Sequence, residues 1–88
     1  MRKSVGNQNA WLVALGEAIR RRRMECAFSQ QDLALDAGVH RTYISDIERG
    51  ARNLTVLTLN RIATALGTTA AEFCKAASVT ESSNTETK

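Results

Sequence analysis

An 88-residue chain with 43% apolar side chains, no proline and 5% aromatic content has room for one small core. No window shows strict apolar–polar alternation, so several domains and a β-fold are excluded and an all-α bundle is predicted. The formal charge of +3 is modest, and Arg2 and Lys3 stand ahead of the expected domain, so a local basic stripe matters more than the sum.

Residues 1–8 are polar and are expected to form a flexible N-terminus, with the domain spanning 9–77. Asn9 can cap a first helix that runs through Trp11, Leu12, Leu15 and Ile19 to about Cys26. The apolar stretch Ala10–Leu15 is short and is followed by Glu17 and Arg20, so neither a membrane span nor a signal peptide is expected, and the cytoplasm is the expected compartment. Arg20 to Arg23 are successive helical residues and point in different directions, so they cannot form one basic patch. Cys26 and Cys74 belong to no CxxC or Cys/His cluster; they read as free thiols, and no metal, cofactor or small-molecule ligand is expected.

Ser29 is placed to cap a second helix, with Asp32 adding a carboxylate near its positive end. Leu33, Ala34 and Ala37 share one face of that helix, Gly38 ends it, and Val39 follows the turn. A third helix runs from near His40 to Gly50, with Ile44 and Ile47 repeating at helical spacing. Ala34 permits close approach and Gly38 permits positive φ, so residues 30–49 read as two short helices at a sharp bend: a helix-turn-helix. After a loop over residues 51–54, Thr55 can cap a fourth helix with the apolar stripe Val56, Leu59, Ile62, Ala63 and Leu66, ending at Gly67. Thr69 and Glu72 match a capping box for a short fifth helix containing Phe73, and residues 78–88 (SVTESSNTETK) are expected to be a disordered polar tail.

The third helix leaves His40, Arg41, Thr42, Ser45, Asp46 and Arg49 facing outward. A bundle that merely packs tends to cover such a face with Glu/Lys pairs, whereas these side chains can hydrogen-bond base edges and phosphates. Arg49, Arg52 and Asn53 lie at and beyond the end of the helix, where they would meet the sugar–phosphate backbone. Tyr43 has two readings, a phosphate contact through its hydroxyl or packing against the second helix and the turn. Trp11 is expected to cover the core or a partner surface.

The pattern over about residues 12–74 resembles the Cro and phage-repressor (XRE) type of helix-turn-helix, a lambda-repressor-like domain of five helices in which the second and third form the reader. The segment RTYISDIERGARNLT, Arg41 to Thr55, is most similar to the controller proteins of restriction-modification systems, small dimeric regulators made of this domain alone. The resemblance implies that Arg41 and Thr42 enter the major groove, with Ser45 and Asp46 on the same base-contacting face. It sets Gln30 and Gln31 against a phosphate, Gln30 foremost, and pairs Arg23 with Glu48 in a structural ion pair. His40 departs from the family's Ser, Thr or Asp cap and can instead donate to phosphate. Arg22 stands where leucine is common. Leu57 falls outside the fourth-helix stripe where relatives often carry charge, which implies a dimer interface.

The resulting expectation is a transcriptional regulator that binds double-stranded DNA as a homodimer on a roughly palindromic operator, since one domain reads too few base pairs alone. The competing class is a protein-interaction module, such as an antitoxin that neutralises a partner protein. The polar tail offers almost no apolar anchors for such a role. An enzyme is not expected: the one histidine sits on the reader, and no nucleophile–base or carboxylate pair is evident.

Overall fold

The computed structural model describes residues 4–86, and the side chains of residues 10–78. Among these residues the fold is all-α: α1 (Ser4–Glu25), α2 (Gln30–Ala37), α3 (Arg41–Glu48), α4 (Val56–Ala65) and α5 (Ala70–Glu86). None of the described helices is long and apolar enough to cross a membrane.

Local chemistry sets most of the boundaries. Ser29 Oγ accepts from the Asp32 backbone N–H at 2.9 Å, and Asp32 Oδ2 accepts from the Ser29 N–H at 3.1 Å, a reciprocal box that satisfies two orphan donors at the start of α2. Thr55 Oγ1 accepts from the Thr58 N–H at the head of α4, and Thr69 Oγ1 from the Glu72 N–H at the head of α5. Gly38 ends α2 at φ 75°, its N–H bonding back to the carbonyls of Ala34 and Leu35. α1 leaves through Ala27 in the same left-handed region (φ 60°), a position that carries no glycine to announce it.

Both outer helices run longer than the sequence predicts. α1 begins at Ser4, so Asn9 lies inside it and is not its cap. Gly6 lowers helix propensity by about 1 kcal/mol, which does not stop a helix already nucleated downstream. α5 continues to Glu86 although composition predicts disorder from Ser78. No glycine or proline interrupts residues 78–86, and a helix nucleated on the packed segment around Phe73 and Ala77 propagates at little cost per residue. Residues 1–3 and 87–88 of the two expected flexible ends lie outside the described residues.

Leu15 and Ile19 of α1, Leu33 of α2, Ile44 of α3, and Ile62 and Leu66 at α4 are the largest fully buried side chains, joined by Phe73 and Ala77 of α5. These helices enclose one core, and each buried aliphatic contributes roughly 1.5–3 kcal/mol of transfer free energy. The predicted α4 stripe needs one correction: Val56 is 79% exposed, because it sits in the first turn, beyond the reach of the core that Leu59 enters. Arg22 has a direct role in the fold. Its Nε donates to the Leu66 carbonyl at 3.0 Å and its Nη2 to the Gly67 carbonyl at 3.3 Å, so a cation closes the negative end of α4 where leucine could not. Cys26 and Cys74 are free and half-buried.

Gly16 decides how α1 meets α3. A Cβ built there would collide with the Ile47 carbonyl oxygen and come within 2.8 Å of that of Glu48. Only glycine lets α1 cross this close to the C-terminal end of α3.

Candidate nucleic-acid interface

α2, the turn Gly38–Val39–His40 and α3 form the helix-turn-helix unit. α3 buries Ile44, Ile47 and Glu48, which fixes its rotation, and the opposite face is therefore presented outward. On that face His40, Arg41, Thr42 and Arg49 are exposed, and Ser45 and Asp46 are half-exposed. His40 occupies the N-cap position in an extended conformation without a side-chain cap bond, leaving its ring and the first N–H groups of α3 open. Tyr43 is half-buried and packs against the core. Arg52, on the loop after α3, lines one open cleft of about 520 Å³ with His40, Thr42 and Tyr43, so loop and helix start share a surface.

Behind this face lies the ionic rivet that holds it. Arg23 Nε donates to Glu48 Oε2 at 2.6 Å and Arg23 Nη2 to Glu48 Oε1 at 3.0 Å, a bidentate pair whose side chains are 12% and 3% exposed. Arg23 Nη1 also donates to the Phe28 carbonyl at 2.8 Å. The hydrogen bonds to Glu48 raise the Arg23 guanidinium above its ordinary value against the opposing desolvation, so it is a fixed cation. Gln30 Nε2 completes the group by donating to Glu48 Oε1 at 3.1 Å. Among the described residues no buried side-chain polar atom is left without a partner. Of the two glutamines at the head of α2, Gln30 is thus turned inward to Glu48 and Gln31 is the exposed one.

A second ionic group lies on the outer face. Asp46 Oδ1 accepts from Arg49 Nη2 at 2.6 Å and Asp46 Oδ2 from Arg52 Nη2 at 3.3 Å. Arg49 Nη1 also donates to Ser45 Oγ at 2.8 Å, and the Arg52 guanidinium lies over the Tyr43 ring, 4.9 Å from its centroid. The sequence allows Asp46 to orient either Arg41 or Arg49, and the structure gives the carboxylate to Arg49. The extension of this group to Arg52 and Tyr43 is not legible in the sequence, because it depends on the path of the loop after Gly50. Asn53 and Leu57 are exposed, the latter at 59% beside exposed Val56.

Five helices around one core, with a short helix held outward by a tight glycine turn, define a helix-turn-helix protein. The helix-turn-helix family model matches residues 19–73, and the chain belongs to that family. It is 45% identical over 53 residues to the control protein C.BamHI of Bacillus amyloliquefaciens, covering 59% of this chain and 65% of that relative. The chain thus matches just under two thirds of that relative's length. Among solved structures it is similar to the restriction-modification controller protein C.AhdI of Aeromonas hydrophila (35% identity, TM-score 0.69, 70% of this chain and 94% of that one). It is also similar to the clp gene regulator ClgR of Corynebacterium glutamicum (26% identity, TM-score 0.79, 88% of this chain and 82% of that one).

Proposed function

We propose that this chain is a sequence-specific transcriptional regulator that binds double-stranded DNA as a homodimer. α3 of each subunit enters a major groove of a roughly palindromic operator. One observation carries the reading: the core holds α3 by Ile44, Ile47 and Glu48 and presents Arg41 and Thr42 outward, exposed and with no side-chain hydrogen bond or ion pair among the described residues. Arg41 is suited to a bidentate contact with guanine O6 and N7, and Thr42 to a thymine methyl. Ser45 and Asp46 stand on the same face but engage Arg49 in the free protein. Gln31, His40, Tyr43, Arg49, Arg52 and Asn53 surround this reader as backbone ligands, and Gln30 joins them through its backbone N–H and the second proton of its amide while that amide holds Glu48. The dimer surface includes Leu57, whose exposure next to Val56 makes an apolar patch at the head of α4. Within the family, the names of the similar proteins favour a restriction-modification controller.

The test is Arg41→Ala, measured on a duplex selected from a random library by the wild-type protein and on its scrambled version. The substitution should cost about 1–3 kcal/mol per subunit on the selected duplex and little on the scrambled one. Equal losses on both would remove α3 as the base reader.

A further inference from the structure

Asp46 sits on the face of α3 that the proposed function turns toward DNA, where a carboxylate repels phosphate. It packs no core. Its two oxygens are divided between Arg49 and Arg52, at 2.6 and 3.3 Å. Each cation is restrained a second time, Arg49 by Ser45 Oγ and Arg52 by the ring of Tyr43. One carboxylate therefore occupies both cations at the C-terminal end of the reader, while Arg41 at its other end is engaged by nothing among the described residues.

The exposure of these groups sets the strength of the clamp. Arg49 and Arg52 side chains are 61% and 49% exposed, so their ion pairs are weak enough to open. A phosphate docked directly against a guanidinium makes a charge-assisted bond equivalent to the one with the carboxylate, so it can take the place of an exposed and weakly held partner. In a loose complex on unrelated sequence, water and salt lie between the guanidinium and the phosphate, and a carboxylate already in contact keeps its partners. The restraint thus falls mainly on the wrong complex, and weakening wrong complexes is one of the two routes to discrimination.

We infer that Asp46 is a specificity-determining positioning residue: it withholds Arg49 and Arg52 from the phosphates of unrelated DNA and releases them once α3 is seated in its own groove. The inference rests on the reading of α3 as the DNA-reading helix. The probe is Asp46→Asn, which removes the charge with little change of shape, assayed at several salt concentrations on the selected and scrambled duplexes.

Binding to the scrambled duplex should strengthen roughly 5-fold, with a salt slope steeper by about 1–2 per subunit, and binding to the selected duplex should change less than about 2-fold. With Arg49 and Arg52 both replaced by alanine, the added Asp46→Asn should strengthen scrambled binding by less than about 2-fold, the part due to simple repulsion. Equal strengthening on both duplexes, or the same gain without the two arginines, would reduce Asp46 to simple repulsion and overturn the inference. No change on either duplex would overturn it too. A loss confined to the selected duplex, with relaxed preference at one C·G pair, would make Asp46 a base reader instead. If Arg41→Ala weakens both duplexes equally, it is the DNA-reading assignment of α3 that fails, and this inference falls with it.

Discussion

Asp46 and Glu48 lie on the same short stretch of α3, and each binds arginine, yet the two carboxylates belong to different worlds. Glu48 is 3% exposed, faces α1 and is saturated by a bidentate Arg23 and by Gln30. Asp46 is 21% exposed and shares two solvent-exposed arginines that can leave it. Ion-pair chemistry alone therefore assigns no role. Burial makes one pair a fixed joint between α1 and α3, and exposure leaves the other weak enough to open.

Breaking the buried pair should have the largest effect. Arg23→Ala or Glu48→Ala strands the opposite charge in a desolvated place and should lower stability by about 2–4 kcal/mol in chemical denaturation, with the double mutant recovering part of the loss. Single mutants that unfold like wild type would place the pair in solvent, like that of Asp46. Next comes Gly16→Ala, which forces α1 away from the Ile47 and Glu48 carbonyls and should cost about 1–3 kcal/mol. If its melting curve overlays that of wild type, the close approach of α1 to α3 is wrong.

The exposed pair should matter far less to folding. Asp46→Asn should shift stability by less than about 1 kcal/mol while changing DNA binding, and a larger loss would make Asp46 a structural residue. Asp32 supplies a pH counterpart. Its carboxyl is held below the ordinary carboxylate value, first by the Ser29 backbone N–H and then by the Ser29 hydroxyl. A lowered folded value means that its stabilisation is fully present above the unfolded carboxylate range and disappears as pH falls through the folded value. Asp32→Asn should therefore lower stability slightly at neutral pH, where the carboxylate is ionised, and leave it nearly unchanged at acid pH, so that the acid limb of a stability–pH curve is flatter; identical acid limbs would remove its capping role. The smallest effect is expected from trimming the chain to residues 9–78, since the described core ends at Ala77. A fall of several degrees in Tm would show that the outer turns of α1 or α5 pack on the domain or on a second subunit.

Sequence alone determined the interior of this protein. Capping residues, glycine positions and helical spacing locate α2, α3 and α4 because each signal acts within a few residues, and the spacing of Ile44 and Ile47 sets which face of α3 is buried. What extends over longer distances was decided by tertiary structure. The helix ends at Ser4 and Glu86 depend on propagation from packed segments, and Val56 is exposed because the core ends one turn further on. Ala27 adopts positive φ without a glycine to mark it. Arg22 reads as a misplaced leucine until the C-terminal end of α4 is brought beside it, and Gly16 is silent until α3 crosses α1. Gln30 and Arg52 are both polar and near the reader, but the fold sends one inward to Glu48 and the other out over Tyr43 to Asp46. Caps and periodicity are properties of neighbours in the chain. Which carboxylate is buried and which can be exchanged is a property of neighbours in space.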